Sequence, residues 1–173
     1  MAAVAKTGAV EARMKRRKIL VPLDGSRLAE AALGEAVELA GAGATLVLLR
    51  AAEAPLRPLT DPTDAQVEVV REAEAYLESV AKRAREACVA QVETSVWYGP
   101  PGDAIIDTAR ARGIDLIVMS SHGRSGLGRV VFGSVAETVL RGTRTPILLI
   151  RPDGAPVEKP GGGGARPAEV SRV

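Results

Sequence analysis

With 46% hydrophobic and 25% charged residues, this chain of 173 has material for one well-filled core, a single domain with or without tails. One cysteine, Cys88, excludes an internal disulfide or a thiolate metal cluster, and one histidine, His122, excludes a multi-histidine centre. The net charge of +2 is unevenly placed: residues 1–18 hold six basic residues and one acidic one, so the central part is net acidic and lacks the basic excess of a nucleic-acid-binding domain.

Aromatic residues make up only 2% of the chain, so the core must be Val, Leu, Ile and Ala. That composition suits a parallel sheet buried on both faces by alanine-rich helices. Residues 1–17 lack the apolar stretch of a secretory signal. No apolar run approaches the roughly 20 residues needed to cross a bilayer. A cytoplasmic protein without membrane or nucleic-acid partners is expected. Residues 1–17 read as a disordered basic extension, with Met14 a second candidate start immediately before the first strand.

Ile19–Leu23 reads as strand one, although an interior Pro22 argues against a regular central strand. It ends at Asp24-Gly25-Ser26, where Asp24 and Ser26 are candidate caps for a helix over Leu28–Ala40. Leu28, Ala32, Ala36, Leu39 and Ala40 are the predicted inner face of that helix, and Gly41 and Gly43 are its predicted stop. Thr45–Leu49 is strand two. The proline-containing segment 52–63 reads as a surface flap. A long helix is predicted over Asp64–Ala90, carrying Val67, Val70, Ala73, Leu77, Val80, Ala84 and Ala87 inward and a Glu78–Lys82 pair outward. Cys88 on it reads as a small buried hydrophobe.

Val92–Tyr98 is strand three. Pro100 and Pro101 suit the first turn of a helix that ends at Gly113. Asp115–Met119 is strand four, Val135–Arg141 a short helix closed by Gly142, and Pro146–Ile150 strand five. Residues 152–173 are rich in Pro and Gly and read as a disordered tail. Five strands alternating with four helices predict an α/β domain over residues 18–151.

The stretch between strand four and the last helix, SSHGRSGLGRVVFGS, carries the strongest functional signal. Glycines let backbone N–H groups approach a ligand, and the following helix aims further N–H groups and a partial positive charge at the loop. Gly123 and Gly133 are thus candidate phosphate donors. The stretch is not a Walker A loop, because Arg129 and Val130 stand where Lys and Ser/Thr are needed. Arg124 and Arg129 could neutralise triphosphate charge. Ser134 opens Ser-x-x-Glu with Glu137, a capping-box pattern, so its hydroxyl either caps the helix or reaches a phosphate. Val135 contributes its N–H, and His122 reads as ordering the loop.

The spacing of Gly123, Gly133 and Ser134 resembles the G-x2-G-x9-G-[ST] loop of nucleotide-binding universal stress proteins, with Ser120 in place of the first glycine. The resemblance runs from Lys18 to Arg151 and includes ILVPLDGS and TPILLIRP. It implies a doubly wound, Rossmann-like parallel sheet of order 3-2-1-4-5, and ATP with Mg²⁺ in the crevice where that order reverses. It implies ribose hydroxyls on Asp24 and adenine against Ala51, Pro22 and Leu23. It further implies a homodimer through Ile147–Ile150 that acts on a protein partner not readable from the chain. A slow Mg²⁺-dependent ATPase and a nucleotide-free structural dimer are the alternatives.

Overall fold

The computed structural model describes residues 17–40, 43–53, 62–87, 89, 91–121 and 133–151. The predictions for residues 1–16 and 152–173, Gly41, most of the flap, Cys88, Arg129 and the glycine-rich loop at 122–132 lie outside them.

The elements follow as β1 (Lys18–Pro22), α1 (Arg27–Ala40), β2 (Thr45–Ala52), α2 (Pro62–Glu86), β3 (Gln91–Tyr98), α3 (Pro101–Arg112), β4 (Leu116–Ser120), α4 (Ser134–Gly142) and β5 (Ile147–Ile150). The five strands form one parallel sheet of order β3-β2-β1-β4-β5. Side chains alternate across it. Ile19, Val21, Leu46, Leu48 and Val118 pack under α1 and α2. Leu20, Val47, Leu49, Ile117 and Met119 pack under α3 and α4. The doubly wound expectation therefore holds, and the near-continuous apolar runs of the central strands follow from burial on both faces.

The Pro22 objection dissolves in the register. Leu23 N–H donates to Leu49 O at 2.8 Å, toward β2. Backbone groups alternate sides along a strand, so Pro22 places its missing donor on the β4 side. There the ladder has already ended: β1 pairs with β4 only at Ile19↔Leu116 and Leu20↔Ile117. Toward β2 the pairing continues to Pro22↔Leu49.

Several boundaries and faces differ from expectation. The buried face of α1 is Ala29, Ala32, Leu33, Ala36 and Ala40, while Leu39 is 49% exposed. Ser26 caps this helix, its Oγ accepting from Ala29 N–H at 3.1 Å, and Asp24 Oδ1 accepts from Ser26 N–H at 2.9 Å and shapes the turn before it. Helix α2 ends at Glu86, not Ala90, because Val89 must turn inward to the core. Val89 N–H reaches Ala84 O at 3.3 Å, the wide bond that ends a helix. Ala73, Leu77, Val80 and Ala84 are buried as predicted, but Val67 and Ala87 are exposed. Glu78 accepts from Arg85 at 2.8 Å instead of from Lys82.

Gly142 does not stop α4; Thr143 caps it in extended conformation. The glycine serves close packing. A Cβ on Gly142 would collide with Ile106 Cδ1 of α3, and one on Gly102 of α3 would stand 2.6 Å from Thr138 Cγ2 of α4. By contrast Gly113 ends α3 as predicted, at φ 60. Each of α3 and α4 thus gives up a side chain where the other presents a branched one.

That interlock is testable at Gly102. Thr138 is β-branched, and its Oγ1 donates to Ser134 O at 2.9 Å, so its methyl cannot swing away freely. Gly102→Ala should destabilise the fold by about 1–3 kcal/mol through overpacking, even though alanine is the better helix former. Thr138→Ser in the same chain should restore most of the melting temperature, because it deletes only the clashing methyl.

Candidate functional site

The parting of β1 from β4 opens a cavity of about 400 Å³ beyond the carboxyl ends of the strands. In an open α/β sheet that is where the reversal of strand order leaves room for a ligand. Its size falls within the range of small-molecule sites. Pro22, Leu23 and Asp24 line it from the end of β1, and Ala51 and Glu53 from the end of β2. Ser120 and Ser121 line it at the end of β4, and Gly133, Ser134 and Val135 at the start of α4. Met119, Leu49 and Ile105 form an apolar floor.

Eight predicted residues therefore meet at one cavity: Pro22, Leu23, Asp24, Ala51, Ser120, Gly133, Ser134 and Val135. His122, Gly123 and Arg124 lie outside the described residues. Glu53 was missed by sequence reasoning. It follows a strand predicted to end at Leu49, and only the extension of β2 to Ala52 carries it to the cavity.

The hydrogen bonds at the base of the glycine-rich segment correct two expectations. Ser121 N–H donates to Ile150 O at 2.8 Å, and Gly133 N–H donates to Ser121 O at 2.9 Å. The chain thus leaves β4 and returns to α4 through one clasp, and the Gly133 N–H is engaged there instead of facing a phosphate. Gly133 is the N-cap of α4, at φ −68 and ψ 157, a conformation open to any residue.

Ser134 consequently sits inside the first turn, and Gly133, the N-cap, has no side chain to cap the helix. The capping-box alternative falls. Glu137 instead accepts from Arg141 at 2.7 Å. The Ser134, Val135 and Ala136 N–H groups belong to the first turn, which has no intrahelical acceptors. All three residues line the cavity. A helix start with a glycine N-cap and a serine hydroxyl beside it suits an anionic oxygen.

The opposite side is acidic. Among the described lining residues Asp24 and Glu53 are the charged ones. Carboxylates accept hydrogen bonds from hydroxyl or amino groups and can supply one or two ligands to a phosphate-bound Mg²⁺. No group of three or more metal-ligating side chains occurs among the described residues.

Behind the β2 end lies a polar cluster on the other face. Buried Arg50 stacks over the Tyr76 ring at 4.7 Å and pairs with Glu72 at 3.4 Å. Tyr76 Oη donates to Glu30 Oε1 at 3.0 Å, and Arg83 donates to Glu30 Oε2 at 2.9 Å. The cluster joins β2, α1 and α2 one residue from Ala51. Burial, then the hydrogen bond to Glu30, push the Tyr76 hydroxyl well above its ordinary pKa of 10.0. The folded state thus holds this proton more tightly than the unfolded chain does. Its contribution is complete below pH 10 and falls as pH rises beyond it. Denaturant midpoints measured from pH 8 to 11 should decline above pH 10, and Tyr76→Phe should flatten that decline.

The profile of the universal stress protein family matches residues 15–151. Universal stress protein YxiE of Bacillus subtilis is 32% identical over 146 residues, covering 78% of this chain and 98% of its own length. Among solved structures, universal stress protein UspA from Lactobacillus plantarum superposes with a TM-score of 0.67 at 27% identity, over 78% of this chain and 97% of that one. A universal stress protein solved in complex with cAMP gives a TM-score of 0.62 at 25% identity, over 78% and 97%. Among the described residues no helix is long and apolar enough to cross a membrane.

Proposed function

The chain belongs to the universal stress protein family, and on that premise we propose that it binds an adenine nucleotide, ATP with Mg²⁺, in the cavity between β1 and β4. The observation that carries this reading is the first turn of α4, opened by a glycine N-cap, lining a cavity whose far wall is acidic. Phosphates take the helix start and the Ser134 hydroxyl. Ribose hydroxyls take Asp24, and the base lies on the apolar surface of Ala51, Pro22 and Leu23. The cAMP complex of a relative supports an adenine nucleotide as the ligand class. In this reading the protein is a regulatory module of the stress response that acts through a protein partner.

Titration calorimetry of the full chain should show ATP binding that strengthens with Mg²⁺. Ser134→Asp is the discriminating variant. A carboxylate in the first turn favours the helix dipole, by about 0.3–1 kcal/mol, while it repels phosphate. The melting temperature should hold or rise while ATP affinity falls at least about tenfold. Wild-type protein that takes up no nucleotide would overturn the reading.

We also propose that the working unit is a homodimer paired through β5. The two edges of the sheet differ in a way that supports this. Edge strand β3 carries Glu93, paired with Arg112 at 3.1 Å, and the charge blunts pairing with another chain. Edge strand β5 is Ile-Leu-Leu-Ile, with no charge and Leu148 36% exposed. An isologous pair would set β5 against its own copy about a two-fold axis. Sedimentation should give a dimer at micromolar concentration, and Leu148→Glu should give a folded monomer. A wild-type monomer under the same conditions would refute the arrangement.

A further inference from the structure

The sole tryptophan of the chain, Trp97, stands near the end of β3, on an edge strand, 38% exposed. An indole is an unusual side chain to leave in water, and its position is specific. In the register Ala51 pairs with Trp97. Side chains in register on neighbouring parallel strands share a face, about 4.8 Å apart. Ala51 lines the cavity and belongs to the α3/α4 face, so Trp97 stands on that face, one strand outboard of the cavity wall.

The local chain explains why nothing covers it. The odd-numbered residues of β3 on this face, Gln91, Glu93, Ser95 and Trp97, are exposed or half-buried, whereas Val92 and Val96 turn to the core under α2. After Tyr98 the chain turns through Gly99 at φ 131 to Pro100, and Pro101 opens α3 on the cavity rim. The indole lies along that turn: a Cβ on Gly99 would be 3.6 Å from Trp97 Nε1. Ala51, Glu53 and Pro101 line the cavity, and Trp97 stands just outside that lining, beside Ala51 on the same face of the sheet. Among the described residues no hydrogen-bond acceptor meets the indole N–H.

We propose that Trp97 is the base-stacking residue of the nucleotide site, a shelf that receives the purine ring where it projects past Ala51. The inference rests on the reading of the cavity as an adenine-nucleotide site and deepens it. Ala51 is too small to hold a base by itself, and the aromatic face beside it supplies the missing surface. The ligand class is thereby narrowed to nucleotides with a large, flat base, purines ahead of pyrimidines, because stacking scales with ring overlap.

The experiment uses the full chain, ATP, and two readouts. Because Trp97 is the only tryptophan, its fluorescence reports on this corner alone, and ATP should change its intensity saturably, in step with the heat of binding. Trp97→Ala should weaken ATP binding about tenfold, within the range measured for base–aromatic stacks. Trp97→Tyr should recover most of the affinity, and Trp97→Leu, equally apolar but unable to stack, should not. ATP binding by calorimetry with silent fluorescence, or with unchanged affinity in Trp97→Ala, would overturn the stacking role and leave the site itself standing. Absence of binding by the wild type would overturn both.

Discussion

The site depends on one interruption in the sheet: β1 and β4 are hydrogen-bonded at their amino-terminal ends and separate after two paired positions. Pro22 sits where that separation requires it. A residue with an N–H here would present to the crevice a donor with no partner in the sheet. Proline has none to leave unpaired. Its other neighbour is unaffected, since the alternation of backbone groups sends the next donor, from Leu23, to β2. The same residue thus ends one ladder and permits the other to continue. It leaves a gap bounded by firmly paired strands, and a cavity with rigid walls binds a ligand with less ordering cost than one made of loops.

The gap alone would be an apolar slot. Its chemistry comes from α4, and the placement of α4 comes from α3. With Gly102 facing Thr138 and Gly142 facing Ile106, the two helices approach more closely than side chains on both would allow. The clasp from Gly133 to Ser121, and from Ser121 to Ile150, ties the start of α4 to β4 and β5. Packing at one end and hydrogen bonds at the other therefore aim the first turn of α4 into the crevice. Edge strand β5 takes part in that tie. A dimer through β5 would steady the strand that Ser121 is bonded to, so the proposed interface and the proposed site share a structural support.

Much of this was legible in the sequence, and the limits have physical causes. The order of apolar runs and helical periodicities identified all nine elements, because burial on both faces writes long apolar strands. Asp24 and Ser120 close such runs, but the strand order that brings them together, and with it the site at the strand ends, came from the family resemblance and not from periodicity. The roles of particular glycines were not. Gly113 and Gly142 look alike in the chain, each after a helical stretch, but one has positive φ and the other fits against Ile106. Only the packing of a second helix separates them. Ser134 likewise resembled a cap, because the pattern with Glu137 is local, while the position of the first helical residue is decided by the Gly133–Ser121 bond. Glu53 escaped notice because β2 runs three residues past its predicted end, and Trp97 because its place beside Ala51 comes from lateral register, which no single strand records.

The cavity is polarised, and polarity implies orientation. The first-turn N–H groups of α4 stand on one side; Asp24 and Glu53 stand on the side of β1 and β2. A ligand anionic at one end and rich in hydrogen-bond donors at the other has one favourable way to lie in such a field. The reversed pose would set phosphate against two carboxylates and leave the first turn of α4 without acceptors. At the few-ångström separations of a binding site, like charges repel by several kcal/mol where water is partly excluded. A neutral or cationic molecule would gain nothing from the helix start, and a bare polyphosphate would meet the acidic wall unshielded. Asp24 and Glu53 would hold a Mg²⁺ that offsets that last conflict. In the proposed complex, selection for a nucleotide would follow from the opposition of the two walls more than from any one contact, and it would set the base toward the end of β2, where Ala51 and Trp97 share a face.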